Sequence, residues 1–141
     1  LQGGRADGGG AAEGDARGTH ILVDLTGVHG NPETLAASVL KHSLRLIKGA
    51  GVRVVGQQVS IFDGDVSPPG FALVVLLDES HFSAHAYTDE GLFALDLFTC
   101  GGTDPTPIME AIIAHIIEGQ NEAKVVLKEV RERFLPSNNL R

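Results

Sequence analysis

The chain has 141 residues, 43% of them hydrophobic, and a formal charge of −7. That length fits one domain with a modest core, and the acidic balance argues against a general nucleic-acid binder, which needs a basic footprint. No apolar run approaches the roughly 18 residues of a membrane span, and the single cysteine, Cys100, excludes an internal disulfide and suits a reducing compartment such as the cytoplasm.

Residues 1–18 hold seven of the eighteen glycines and almost no large apolar side chain. Such a segment cannot bury enough surface to offset its ordering entropy, so it reads as a disordered leader with no secretory signal. Folded sequence is expected over residues 19–135, with a flexible tail at 136–141. THILVDLTG, from Thr19, is apolar and β-branched and predicts a buried strand. Asn31-Pro32-Glu33 predicts a helix start, with a cap, a proline in the first turn and an acid that suits the dipole. Ala36, Val39, Leu40, Leu44 and Ile47 follow at helical spacing, and Gly49 and Gly51 end the helix. Residues 52–62 predict a second strand and FALVVLLDES (71–80) a third. HFSAHAY and LFALDLFT predict two more, joined near Asp89-Glu90-Gly91. Asp104-Pro105 caps a second helix with Ile108, Met109, Ile112, Ile113, Ile116 and Ile117 on one face. Residues 124–130 predict a last strand.

The order β-α-β-β-β-β-α-β implies antiparallel pairing through short turns. The predicted class is α+β: a two-layer sandwich, an antiparallel sheet with two helices on one face. FALVVLLD is apolar on both sides, so the other sheet face also needs cover. A homodimer stacking sheet on sheet supplies it.

The chemistry concentrates in DESHFSAHAYTDEGLFALDLFTCGG. Glu79-Ser80-His81 closes an apolar run, His85 follows, and Cys100 lies twenty residues past Ser80. On spacing alone this is a weak signal, because short strands often carry a serine and a histidine at their ends. His81, His85, Asp96 and Cys100 offer metal-ligand types, but their spacing matches no common zinc pattern, and no metal is expected. There is no G-x-S-x-G elbow for a serine hydrolase. Gly101 and Gly102 lack the Lys-Ser/Thr of a phosphate loop. Alternation puts His81 and His85 on one face and Ser80 on the other, unless the chain bends at Ser80. His20, His42 and His115 receive no role.

Glu79-Ser80-His81 with a second histidine at 85, followed by DLFTCG, resembles the prokaryotic-type S-adenosylmethionine decarboxylase proenzyme family. GTHILVDLTG resembles the family's opening strand and PPG its loop before the serine strand. The resemblance spans roughly residues 18–134. It implies a pyruvoyl-dependent enzyme whose cofactor is made from Ser80. The Ser80 hydroxyl attacks the Glu79 carbonyl, and His85 is the base that removes the α-proton of residue 80. The chain divides into 1–79 and 80–141, leaving a pyruvoyl group. That group binds the substrate amine as a Schiff base and takes up the electrons released with carbon dioxide. Cys100 matches the proton donor, and an ordinary thiol stays protonated at neutral pH. The implied product is decarboxylated S-adenosylmethionine for spermidine synthesis. The implied assembly is a homodimer with its active sites at the interface.

The sequence also departs from the family's pattern. Ala72 stands where the family has a serine that assists cleavage, with Ser83 and Thr99 as possible substitutes. Val66 stands where an aromatic residue stacks on adenine, with Phe62 or Phe71 nearby. Ala86-Tyr87-Thr88-Asp89 replaces Thr-Trp-Pro-Glu, so Asp89 takes the place of the ribose-binding glutamate and Tyr87 keeps an aromatic surface. Phe82 and Ala84 replace the usual aliphatic pair. Two alternatives stay open. One is a pyruvoyl-dependent arginine or ornithine decarboxylase using Asp63, Asp65, Asp89 or Glu90 against the substrate cation. The other is an unprocessed regulatory paralog.

Overall fold

The computed structural model describes residues 17–136. Most of the glycine-rich leader and the end of the tail lie outside the described residues. The elements run β1 (Gly18–Thr26), α1 (Pro32–Gly49), β2 (Val54–Phe62), β3 (Gly70–Leu77), β4 (His81–Tyr87), β5 (Leu92–Cys100), α2 (Pro105–Ile117) and β6 (Lys124–Arg133). This is the expected order. The six strands form one antiparallel sheet in the order β2-β3-β4-β5-β1-β6.

Both helices start where the sequence signals them. The Asn31 side chain accepts the Thr34 N–H at 2.9 Å, and Asp104 accepts the Thr106 N–H at 3.1 Å, each satisfying an otherwise unpaired donor of the first turn. Both helices cover the same side of the sheet, α1 over β2 and β3, α2 over β1 and β5. Alternate strand residues point into that layer: Ile21, Val23 and Leu25 from β1, Phe71 and Val75 from β3, Leu97 from β5. The phenyl rings of Phe71 and Phe93 meet edge to face, with centroids 5.6 Å apart. Each large side chain removed from water here contributes about 1.5–3 kcal/mol.

Several boundaries differ from expectation, β2 for instance starting at Val54 rather than at 52. Gly18 belongs to β1 rather than to the leader. The third strand ends at Leu77, because residues 78–80 are needed to turn the chain into β4. The last strand runs on to Arg133, since β1 offers it partners along its whole length. His42, given no role from the sequence, lies against His115 with ring centroids 3.5 Å apart.

Among the described residues, no helix lies over the other sheet face. Val74 (36%) and Leu76 (51%) of β3 are exposed there, as the doubly apolar third strand predicted, and so is Leu92 (42%) of β5.

Candidate active site

Asp78 and Glu79 form the turn between β3 and β4, flanked by Leu77 and Ser80. The Leu77 N–H donates to the Ser80 carbonyl at 2.9 Å, and the Asp78 N–H donates to the Arg53 carbonyl at 3.1 Å. The bend frees Ser80 from the strict alternation of β4. Behind it, β5 ends at Cys100, whose thiol donates to the Glu79 carbonyl oxygen at 3.4 Å. Cys100 is buried. Burial, and then the Glu79 charge, push its thiol pKa up, so it remains protonated. Ser80, Glu79 and Cys100 are thus brought together.

His85 is not with them. It lies on the uncovered sheet face within the continuous strand β4, five residues beyond Ser80. That is about 16 Å at the usual strand rise. Tyr87 and Asp89 lie further along, about 23 Å and more from Ser80. Val66, 98% exposed, sits in the β2–β3 loop at that same far end, where Phe62 approaches Tyr87 with ring centroids 6.4 Å apart. These three expected substrate contacts therefore cluster together, away from Ser80 of the same chain. Phe82 corrects the expectation outright: it is fully buried under the helices and presents no surface to a ligand. Its parity with Ala84 and Ala86, all facing the core, is the reason.

Ala72 is the cross-strand partner of His85 on one side and of Ser60 on the other. Neither expected substitute for its missing hydroxyl is free. Ser83 donates to Asp96 and Thr99 donates to the Thr103 carbonyl at 2.8 Å. The hydroxyl that the register sets beside Ala72 belongs to Ser60. A groove of about 500 Å³ runs over this row, lined by Gln58, Ser60, Ala72, His81, Ser83 and His85 among others. Among the described residues, no carboxylate lines it. The acids that an arginine or ornithine substrate needs, Asp63, Asp65, Asp89 and Glu90, stand exposed in the far loops.

The residue that sequence reasoning undervalued is Asp96. Its Oδ2 bonds His20 Nε2 at 2.6 Å and His81 Nε2 at 2.7 Å, while Oδ1 takes the Ser83 hydroxyl. Burial opposes its charge, but those three hydrogen bonds outweigh burial and bring its pKa to about 2. The same hydrogen bond raises His81 against the opposing effect of burial. Arg133 Nη1 lies 2.7 Å from His20 Nδ1. A guanidinium only donates, so Nδ1 accepts and Nε2 carries the proton given to Asp96. Three ligand-type atoms meet here, yet that tautomer turns an N–H, not a lone pair, toward the centre. The arrangement is a hydrogen-bonded clamp on His81, the residue after the junction. A lone acid in the apolar strand LFALDLFTC was the signal that could have found it.

Residues 19–129 match the family described as S-adenosylmethionine decarboxylase. The S-adenosylmethionine decarboxylase proenzyme of Brevibacillus brevis is 32% identical over 82% of this chain and 84% of its own. The proenzyme of Aquifex aeolicus is 34% identical over 82% of this chain and 80% of its own. The crystal structure of the Aquifex aeolicus adenosylmethionine decarboxylase superposes with a TM-score of 0.63, at 27% identity, over 90% of this chain and 98% of that one. Fold and junction thus define an α+β decarboxylase proenzyme. The chain belongs to the S-adenosylmethionine decarboxylase family.

Proposed function

We propose that this chain is a self-processing decarboxylase acting on S-adenosylmethionine, cutting itself between Glu79 and Ser80 to make a pyruvoyl group from Ser80. One observation carries the reading: the Cys100 thiol already donates to the carbonyl that Ser80 must attack. A donor at that oxygen stabilises the oxyanion formed when the Ser80 hydroxyl adds to the Glu79 carbon. The turn geometry fits residue 80 as the cofactor's site, since Leu77 holds its carbonyl and Asp96 holds the next side chain. The pyruvoyl carbonyl supplies an electron sink for the departing carboxylate. Cys100, protonated at neutral pH, is the proton source beside it.

The 16 Å gap implies that His85 serves the junction of a second copy. Two sheets stacked through their uncovered faces, running in opposite senses, bring His85, Tyr87 and Asp89 of one toward Ser80 of the other and cover Val74 and Leu76. A substrate carrying adenosine suits such an interface better than a basic amino acid does, because two of the acids near the junction are already engaged, Asp96 by three donors and Asp78 by Arg53. No helix among the described residues is long and apolar enough to cross a membrane. The working thiol of Cys100 suits a reducing compartment, the cytoplasm.

Intact-mass spectrometry and carbon dioxide release test the proposal together. Fragments 1–79 and 80–141 are expected, with release from labelled S-adenosylmethionine exceeding that from arginine or ornithine. A persistent full-length chain refutes self-processing and leaves the regulatory-paralog reading. Turnover of only a basic amino acid refutes the substrate.

A further inference from the structure

The turn at Leu77–Ser80 is bonded unevenly. A two-residue hairpin loop ordinarily carries a reciprocal pair of backbone hydrogen bonds between its flanking residues. Here the Leu77 N–H reaches the Ser80 carbonyl at 2.9 Å. Among the described residues, the Ser80 N–H has no backbone acceptor, and neither it nor the Ser80 hydroxyl has a side-chain partner. The turn is open at the amide to be broken and closed at the next carbonyl.

The chemistry gives that asymmetry a use. This inference rests on the self-processing reading above. After the Ser80 Oγ has displaced the Ser80 nitrogen from the Glu79 carbonyl carbon, an ester links the two residues. A base then takes the proton on Cα of residue 80. The electron pair moves into the Cα–C bond and onto the carbonyl oxygen of residue 80, giving an enolate. As that charge returns, Cα=Cβ forms, the Cβ–Oγ bond breaks, and Glu79 leaves with its carboxylate. The oxygen that carries the transient charge is the one Leu77 already meets.

We propose that the Leu77 backbone N–H is a catalytic donor of self-cleavage, stabilising the enolate oxygen of residue 80, while the Cys100 thiol serves the preceding carbonyl. The two donors divide the two charged states between them: Cys100 acts on the acyl shift and Leu77 on the elimination. Both are pre-set. The Leu77 side chain is 3% exposed in the core, and the Asp78 N–H is tied to Arg53 of the segment entering β2. The donor therefore does not have to move as charge develops. The register explains why no side chain was needed. Residue 80 is the first after the turn, so its carbonyl points back across the hairpin to β3.

The test removes the N–H and keeps the side chain. Cell-free translation with a suppressor tRNA carrying the α-hydroxy analogue of leucine replaces the Leu77 amide by an ester. The α-hydroxy analogue of valine at Val75, in the same strand, controls for one altered backbone link. Cleavage is followed by mass from the time of synthesis. Hydroxylamine traps the ester intermediate as a hydroxamate on Glu79, distinguished by mass from any cut at the introduced ester. Loss of a positioned oxyanion donor commonly costs about 100-fold or more. The Leu77 variant is expected to cleave at least about 10-fold more slowly than the Val75 control and to accumulate Glu79 hydroxamate. Equal slowing at the two positions, or slowing without hydroxamate, overturns the proposal. Wild-type chain that never cleaves refutes the self-processing reading itself, and that outcome is separable from the first two.

Discussion

The Cys100 thiol reaches the Glu79 carbonyl oxygen from the last residue of β5, across 3.4 Å. Burial and the Glu79 charge both favour its neutral form. Alkylation of Cys100 in the native chain is therefore expected to rise at higher pH than alkylation of the same cysteine in urea. Iodoacetamide labelling read by mass checks this, and superimposable pH curves contradict it. Replacing Cys100 by alanine should slow cleavage by about 10-fold or more, since an oxyanion donor is lost.

Gly18 pairs with Cys100 across β1 and β5. A Cβ at Gly18 would stand 2.8 Å from Phe98 Cε1, 3.1 Å from the Thr99 oxygen and 3.3 Å from Cys100 Sγ. Gly18→Ala is expected to cost about 1–3 kcal/mol and to slow cleavage by displacing the thiol. Urea midpoints and cleavage rates measure the two effects. An alanine variant as stable and as fast as wild type would show that the strand end yields freely.

Asp96 and His81 make stability depend on pH in two opposite senses. Asp96 sits at about 2, below its ordinary 3.8, so its contribution is full above pH 4 or so and is lost as pH falls toward 2. His81 is raised above its ordinary 6.5, so its contribution is full below that value and is lost as pH rises through the folded pKa. The loss caused by Asp96→Asn should be greatest between about pH 4 and 6.5 and smaller on both sides. About 1 kcal/mol is expected at the maximum, after solvent screening of these partly exposed groups. Urea unfolding at a series of pH values provides the measurement, and a pH-independent difference would rule out the pairing as its source.

His85→Ala and Ser80→Ala chains should each fail to cleave alone. Mixed during refolding, they should yield cut His85→Ala chains, because a Ser80→Ala copy still carries a working histidine. At random pairing, about half of the His85→Ala chains acquire such a partner. Mass analysis of the mixture decides the matter. No cutting in the mixture means that His85 acts within its own chain, which would require β4 to unfold.

The helix caps, the order of elements along the chain and the core stripe were legible because each is local. Asn31-Pro32 and Asp104-Pro105 announce their helices, and alternation in residues 92–99 announces a half-covered strand. The end of β3 was less legible. Asp78 and Glu79 follow the apolar run without a glycine or proline to mark the turn. The junction's chemistry came from the motif, but its geometry did not. The resemblance named His85 as the base for residue 80 without saying which copy's, and five extended residues keep the two apart within one chain. Phe82 was assigned by position in the motif, although its parity with Ala84 already pointed to the core. Asp96 was counted only as a ligand type. Its three partners come from β1 and β4, and no local pattern reveals that convergence.

The strand order has a further consequence for a chain cut after residue 79. β1 belongs to the first piece, yet it lies between β5 and β6, which both belong to the second. β3 and β4, from different pieces, also remain laddered together. The two products are laced through one another like interlocked fingers. Severing the backbone thus opens no seam in the sheet, and neither piece can leave without pulling a strand from the interior.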